Sequence, residues 1–208
     1  MYTEEDFFQQ FPAEIRPWDC MLLWGTAHSR SDLHIDPYNW TGTNAVIYGR
    51  KKWKDDLLYT IPDAKCGFPL DCHKYNSPVD AFAQECELRQ YPMFQSAKYI
   101  EVEQKAGELL IIPTGWYHQA YNTEETLAIS GQVMNRNNYR FVLEEILKAG
   151  NLRRKQLPEG FHNLLPPDQV TIFMSLLPKK LLERGKKRTE DYLEQIRERQ
   201  NHPNRPVK

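Results

Sequence analysis

The sequence predicts a mainly β domain followed by a helical segment, and two observations lead to this prediction. Up to about residue 135, short apolar or alternating runs are separated by turn residues, a pattern typical of an all-β sandwich or barrel. From Asn138 onwards the apolar residues recur at helical spacing instead. We therefore expect a β domain over residues 1–135, a helical segment over 136–200 and a tail over 201–208.

Six runs are the predicted strands of the β domain. Each ends at glycine, proline or polar turn residues. The six are Cys20–Trp24, Thr43–Tyr48, Lys98–Val102, Leu109–Ile112, Trp116–Tyr121 and Thr126–Val133. Leu109–Ile112 is apolar throughout, so we expect it to be a buried strand.

Three helices are expected in the C-terminal segment. The first ends before Gly150, and its apolar face comprises Phe141, Val142, Ile146 and Leu147. The second opens at Pro167 and is interrupted by Pro178. The third is expected to begin with Thr189 as its N-cap, because acidic residues follow in the first turn and arginines in the last. That charge order suits the helix dipole.

Composition narrows the possible functions. A chain of 208 residues is long enough for one domain with a sizeable core, or for a domain with an appendage. The formal net charge of −1 gives no overall attraction to nucleic acid or to anionic membranes. No apolar run approaches the roughly 20 residues of a transmembrane helix. The acidic N-terminus lacks the features of a signal peptide. We therefore expect no membrane association.

The four cysteines are expected to be reduced thiols in a nuclear or cytoplasmic protein. They are Cys20, Cys66, Cys72 and Cys86. Because three of them lie near His73, a structural zinc site is the alternative, although the chain has no Cys-x-x-Cys pair.

The run Leu33–Asp36 carries the first pair of candidate metal ligands. On a strand, side chains two residues apart share a face, so His34 and Asp36 would point the same way. An imidazole and a carboxylate are two of the three ligands of the facial triad that binds non-haem iron(II). His118 is the candidate third ligand, since it follows a buried strand and a Pro-Thr-Gly turn. Taken singly, each feature is also typical of ordinary surface or core residues.

Residues 20–135 resemble the catalytic core of the Jumonji-C (cupin-like) hydroxylases. The matching segments occur in the family's order and are Leu33–Pro37, Asn44–Ala45, Gly49–Trp53 and Gly107–His118. Within the family, the sequence is most similar to the lysyl-hydroxylase type once described as a phosphatidylserine receptor. The resemblance implies a double-stranded β-helix, or jelly roll, and an Fe(II)- and 2-oxoglutarate-dependent dioxygenase.

The resemblance also implies a role for seven side chains. His34, Asp36 and His118 match the iron ligands and catalytic residues. The cosubstrate 2-oxoglutarate would be bound by Lys51, Ser31, Asn44 and Ser130, with Lys51 and Ser31 on its distal carboxylate. A lysine in a closed pocket would anchor that carboxylate by a charge-assisted hydrogen bond.

Lys52 is the alternative to Lys51 as the lysine that binds the cosubstrate. Asn44 and Lys51 are seven residues apart, which places them on opposite faces of one regular strand. Both face the pocket only if Gly49 marks a bulge or bend; otherwise Lys52 is the better candidate. Without the resemblance, both lysines would be interpreted as ordinary solvated side chains.

The sequence departs from the family pattern in two places. Only 33 residues precede His34, and Trp53 is followed by Lys54-Asp55-Asp56 where the family continues with an apolar strand. We therefore expect that segments are missing before residue 1 and after Lys54. Such gaps would leave the metal triad intact and remove pocket walls.

The expected activity is hydroxylation or demethylation of a protein side chain, with a tRNA base as the alternative substrate. Two other functions stay open: an inactive cupin-fold binding module that acts through its helices, and a different metalloenzyme such as a zinc-dependent sugar-phosphate isomerase. A homodimer is expected through an apolar stripe in the helical segment, and RNA is a further candidate partner of that segment. The stripe comprises Leu176, Leu177, Leu181 and Leu182.

Overall fold

Seven antiparallel strands form two sheets that enclose the candidate site. The computed structural model describes residues 5–56, 76–84, 89, 91, 94, 97–149 and 157–201. The strands are β1 (Met21–Gly25), β2 (Thr41–Tyr48), β3 (Arg50–Asp56), β4 (Tyr99–Lys105), β5 (Leu109–Ile112), β6 (Tyr117–Asn122) and β7 (Thr126–Val133). The first sheet has the order β1-β7-β2-β5 and the second has the order β4-β3-β6.

An irregular segment, residues 30–34, extends the second sheet along β6. Arg30 forms an isolated antiparallel bridge with Tyr121, and His34 forms one with His118. With this segment counted, each sheet has four members, and the connections between the sheets are those of a jelly roll. The predicted fold class, a jelly roll followed by helices, is confirmed.

All six predicted strands are present, with ends displaced by a few residues at most. β3 was not among them because its sequence, Arg-Lys-Lys-Trp-Lys-Asp-Asp, has the composition of a solvated segment. The expectation that Leu109–Ile112 is a buried strand is wrong. Leu109 and Ile111 are 54% and 48% exposed, because β5 is the edge strand of the first sheet and turns one face outwards. Ile112, on the other face, is buried.

The core beneath the second sheet is a cluster of apolar side chains. Leu33, Val79, Ala81, Phe94 and Tyr117 are buried against one another. Leu33 is 1% exposed. Its packing in this core anchors the irregular segment one residue before His34. The burial of Leu33 therefore fixes the start of the candidate metal-binding sequence.

Gly49 forms the corner between the two sheets. β2 ends at Tyr48 in the first sheet and β3 begins at Arg50 in the second. Gly49 has φ +83°, in the left-handed region that favours glycine. A Cβ at this position would overlap the carbonyl oxygen of Glu125. The chain therefore bends between Asn44 and Lys51, which is the condition for both residues to face the pocket.

The helical segment contains α1 (Tyr139–Ala149), α2 (Pro166–Ser175) and α3 (Lys179–Asn201). The first two correspond to the predicted helices. The prediction of a helix that begins at Thr189 is wrong, because α3 runs without interruption from Lys179. Residues 179–188 are mostly strong helix formers, and one glycine costs about 1 kcal/mol, which is not enough to end a helix. That glycine, Gly185, has no room for a Cβ beside Ile15 and Glu14.

The chain divides into two compact units. One comprises Trp18–Glu145, and the other combines Met1–Pro17 with Ile146–Lys208. These divisions differ from the predicted domain boundary near residue 135, which stays a prediction. No helix in the described part of the chain is long and apolar enough to cross a membrane.

Several predicted features lie outside the described residues. They are the cap at Gly150 and the zinc alternative with His73, Cys66, Cys72 and Cys86. Cys20 is a free, exposed thiol, as expected for a reduced cysteine.

We expect Gly49→Ala to destabilise the protein much more than Gly107→Ala. Gly107 also has a positive φ, +88°, but a Cβ there meets no atom within 4 Å. Gly107→Ala should therefore cost only the left-handed penalty of about 1–2 kcal/mol. Gly49→Ala adds the overlap with Glu125, for about 1–3 kcal/mol more. Urea unfolding of both variants measures the difference, and equal losses would contradict a tight corner.

Candidate active site

His34 and His118 are held side by side by their own backbones. The His34 N–H donates to the His118 carbonyl at 3.0 Å, and the His118 N–H donates to the His34 carbonyl at 2.8 Å. Their ring centroids are 4.3 Å apart. Asp36 is not on a regular strand with His34, so that expectation is corrected: the pairing is an isolated bridge, and Pro37 begins a 3-10 helix directly after Asp36.

The Asp36 carboxylate completes a three-donor group with the two histidines. Asp36 Oδ1 lies 3.8 Å from His34 Nε2 and 3.7 Å from His118 Nε2. The donor atoms of the three residues all lie within 4.8 Å of one another. A Cβ on Gly42 would overlap Asp36 Oδ2, so the glycine on β2 leaves the space that the carboxylate occupies.

Each histidine turns its Nε2 towards the shared space. His34 Nδ1 lies 2.8 Å from the Asp32 carbonyl oxygen, and His118 Nδ1 lies 3.1 Å from the Trp116 carbonyl oxygen. A carbonyl can only accept, so each Nδ1 carries a proton, and in the neutral tautomer that these bonds select Nε2 is the nitrogen with the lone pair. Backbone carbonyls commonly fix metal-binding histidines in this way.

The surroundings of His118 favour its neutral ring. Burial lowers the pKa of His118 below its ordinary value, and the neighbouring His34 lowers it further. Asp36 and the Trp116 carbonyl act in the opposite direction and raise this pKa, but they do not reverse the shift. Neutral imidazole is the form that binds a metal.

Two neutral imidazoles and one carboxylate suit a divalent transition metal. This combination, with further positions left for other ligands, is the donor set of non-haem iron(II) sites. The three donors converge on one space, and the glycine beside Asp36 leaves room for the carboxylate in this position. The residues present therefore fit the metal that the sequence pattern suggests.

All seven predicted site residues line one cavity of about 420 Å³ between the two sheets. They are His34, Asp36, His118, Lys51, Ser31, Asn44 and Ser130. The roles implied for them stay predictions. Lys52 does not line the cavity, because neighbouring residues of β3 point to opposite faces.

Lys51 is a buried cation without an anion. Its side chain is on β3, the residue is 6% exposed, and burial lowers its pKa. The ammonium lies over the Trp53 ring at 5.7 Å from the centroid. In the described part of the chain, no carboxylate pairs with it. A buried charge normally has a partner, so the cavity lacks an anionic group beside Lys51.

Two buried amide oxygens in the same cavity have no hydrogen-bond partner among the described residues. Asn44 and Asn122 are 2% and 9% exposed, and neither Oδ1 atom has a hydrogen-bond partner. The two serines are already bonded to backbone. The Ala120 N–H donates to Ser31 Oγ at 3.1 Å, and the Ser130 hydroxyl donates to the Thr43 carbonyl at 3.1 Å.

Sequence reasoning missed Asn122 and Arg30, which also line this cavity, and assigned no role to Trp53. Asn122 follows His118 by four residues on β6, and their spacing places both on the inner face. This spacing could have identified it. Arg30 lies in the irregular segment and pairs with Asp80 at 2.8 Å, a contact that no sequence pattern signals. Trp53 belongs to a matching segment, but its place beside Lys51 emerges only from the fold.

A jelly roll with two histidines and one carboxylate facing the space between its sheets defines a cupin-type metal-binding domain. Residues 1–136 match the family model described as the cupin-like domain. The chain belongs to the Jumonji-C (cupin-like) family, which confirms the resemblance.

The chain is similar to several named oxygenases. It is 35% identical over 138 residues to the 2-oxoglutarate and iron-dependent oxygenase JMJD4 of Gallus gallus, covering 65% of this chain and 31% of that protein. It is 34% identical over 168 residues to the arginine-specific demethylase JMJ22 of Arabidopsis thaliana, covering 77% and 33%. The bifunctional arginine demethylase and lysyl-hydroxylase psr-1 of Caenorhabditis elegans is 26% identical over 152 residues, covering 71% and 38%. The chain spans about a third of the length of these relatives.

We expect Asp36→Ala to abolish tight metal binding. Substituting groups that only orient metal ligands costs about 10–100-fold in affinity, so loss of the one anionic ligand should cost at least about 100-fold. Titration of the protein with Mn(II) in a calorimeter measures this affinity. Asp80→Ala is the matched control, because Asp80 is a partly buried carboxylate outside the triad. Unchanged Mn(II) affinity in Asp36→Ala would show that the ligands lie elsewhere.

Proposed function

We propose that this chain contains the metal- and cosubstrate-binding domain of an Fe(II)- and 2-oxoglutarate-dependent oxygenase that hydroxylates or demethylates a side chain of a protein. The observation that carries the proposal is Lys51, a buried cation that pairs with no carboxylate of the described residues and lies in the same cavity as the His34, Asp36 and His118 donors. A metal-binding cofactor with a carboxylate at its far end satisfies both features. The dicarboxylate 2-oxoglutarate has that form.

The three donors would hold iron(II), and the rest of the cavity would hold the cosubstrate. When bound, iron supplies the redox chemistry that couples oxidative decarboxylation of 2-oxoglutarate to hydroxylation of a substrate C–H bond. Lys51 would pair with the distal carboxylate of the cosubstrate. Asn44 and Ser130 are Cα partners on adjacent strands of the opposite sheet and would orient the cosubstrate from that side.

Trp53 would keep water away from the lysine. Trp53 is 4% exposed, and its ring centroid lies 5.7 Å from the Lys51 ammonium and 6.2 Å from the His118 ring centroid. In a site from which water is excluded, a single cation interacts more strongly with a carboxylate than it does in solvent. The charge of Lys51 would thus select a dicarboxylate over a monocarboxylate of similar shape.

A protein side chain is the proposed substrate. The relatives are named for demethylation of arginine and for hydroxylation of lysine in proteins. The two outcomes share one chemistry, since hydroxylation of an N-methyl carbon gives an unstable product that loses formaldehyde. A tRNA base remains the alternative substrate. The zinc isomerase and the inactive binding module predicted from sequence are outcomes of the tests below.

The other predicted partners concern the helical segment. Leu177 is 7% exposed and Leu176 is 42% exposed, so the proposed dimer stripe is not uniformly available to a second chain. Leu181 and Leu182 are half-buried. Homodimer formation and RNA binding by this segment stay predictions, as does a nuclear or cytoplasmic location.

We expect Lys51→Met to weaken 2-oxoglutarate binding strongly while leaving metal binding intact. Loss of a desolvated charge partner typically costs about 2–5 kcal/mol, or roughly 30- to several thousand-fold in Kd. Calorimetry measures the Mn(II) affinity with metal-free protein and the 2-oxoglutarate affinity with Mn(II)-loaded protein. Folding should be preserved, because burial already disfavours the lysine charge, as its lowered pKa indicates.

Lys52→Met is the matched control for this experiment. Lys52 is the next residue of β3 but points to the other face, so its loss should change the 2-oxoglutarate Kd less than about twofold. The opposite result, a strong effect for Lys52 and none for Lys51, would contradict the strand register. Wild-type protein that binds Mn(II) but not 2-oxoglutarate would favour the isomerase-like alternative, and cosubstrate binding without succinate release would favour the inactive module.

A further inference from the structure

We propose that Gln104 is a positioning residue for the cosubstrate end of the cavity, which it controls through the Trp53 indole. This inference rests on the proposed function, since it concerns the same 2-oxoglutarate pocket. Gln104 does not line the cavity itself. It would act by fixing Trp53, which does line the cavity.

Gln104 lies directly beside Lys51 in the second sheet. The two are Cα partners between β4 and β3, and Asn122 is the partner of Lys51 on the other side, in β6. Paired residues of neighbouring strands point to the same face. Gln104 is therefore an inward-facing residue, and it is 2% exposed.

Three hydrogen bonds use both donors and the acceptor of the Gln104 amide. The Trp53 indole N–H donates to Gln104 Oε1 at 2.8 Å. Gln104 Nε2 donates to the carbonyl oxygens of Asn44 at 2.7 Å and of Glu108 at 3.0 Å. Trp53 is in the second sheet and Asn44 in the first, so one side chain joins the two sheets at the pocket. A fully satisfied buried amide of this kind specifies one arrangement of its neighbours.

The Trp53 ring, whose orientation is set by Gln104, lies next to both His118 and Lys51. Its centroid is 6.2 Å from that of His118, and the Lys51 ammonium lies 5.7 Å from the Trp53 ring centroid. The hydrogen bond to Gln104 fixes which way the indole N–H points and so fixes the plane of the ring. The ring plane in turn sets where the Lys51 ammonium can rest.

Removal of the amide should affect the cosubstrate far more than the metal. Without Gln104, the buried indole N–H loses its acceptor, and a buried unpaired polar group is unfavourable. The backbone of Asn44 would stay in place, since β2 pairs with strands on both sides at this residue. The Trp53 ring, and with it the Lys51 ammonium, would relax. The metal donors would not, because backbone bonds between His34 and His118 hold them independently.

A double-mutant cycle on the affinity for 2-oxoglutarate tests the proposal. The variants are Gln104→Met, Trp53→Phe and the combination, all loaded with Mn(II) and measured by calorimetry below their unfolding temperatures. We expect Gln104→Met to raise the 2-oxoglutarate Kd about tenfold or more and the Mn(II) Kd less than about threefold. If Gln104 acts through the indole, the double variant should be no weaker than the weaker single variant.

Gln119→Met is the matched control. Gln119 is 1% exposed and also makes three hydrogen bonds, with the Ala81 N–H, the Ser31 carbonyl and the Asp80 carboxylate. Its substitution should lower thermal stability to a similar extent. Its effect on the 2-oxoglutarate Kd should be additive with that of Trp53→Phe, because no bond joins Gln119 to the indole.

The outcomes separate this inference from the proposed function. Additive effects of Gln104→Met and Trp53→Phe, or equal coupling of Gln119→Met with Trp53→Phe, would reduce Gln104 to a general structural residue and overturn the proposal. A parallel rise of the Mn(II) Kd would do the same. Wild-type protein that fails to bind 2-oxoglutarate would overturn the proposed function first. If Gln104→Met does not fold, Gln104→Asn serves in the same cycle, since it keeps a buried amide but withdraws it from Trp53.

Discussion

The candidate site depends on one reciprocal backbone contact. His34 and His118 are 84 residues apart in sequence, yet each donates its N–H to the carbonyl of the other. This pair attaches the irregular segment to the free edge of the second sheet and sets the two imidazoles next to each other. Everything else about the metal centre follows from it: the carbonyls that hold each Nδ1, the free Nε2 atoms, and the position of Asp36 two residues further on. Because this contact uses main-chain atoms, side-chain substitutions around the pocket leave it in place.

The opposite half of the cavity contains buried polar groups that have no partner among the described residues. Lys51 is a buried cation without an anion in the described chain, and Asn44 and Asn122 present buried oxygens without donors. Buried polar groups in folded proteins are nearly always paired, and exceptions concentrate where a ligand completes the set. Here the exceptions lie in one cavity with a metal-binding triad. This geometry supports the proposed ligand, which has a metal-binding end and an anionic end.

Short alternating runs in the sequence predicted a β domain, and the resemblance to the family supplied the jelly roll and the three candidate metal donors, since a His-x-Asp pair with a later histidine is not specific by itself. The sequence could not choose between Lys51 and Lys52, since that choice depends on Gly49, where the chain leaves one sheet for the other. It also missed β3, whose charged sequence hides an inward-facing Lys51 and Trp53. At Thr189 the sequence predicted the start of a helix, but α3 is already continuous there, and a good capping sequence does not interrupt a continuous helix. Tertiary pairing decided each of these cases.

The most direct test of the account is the location of a bound metal. Crystals of the protein grown with Mn(II) and 2-oxoglutarate, measured at a wavelength where manganese scatters anomalously, would show the ion without reference to activity. The account predicts one anomalous peak within bonding distance of His34 Nε2, Asp36 Oδ1 and His118 Nε2, with the distal carboxylate of 2-oxoglutarate beside Lys51. A peak at any other group of side chains, with the triad empty, would contradict it.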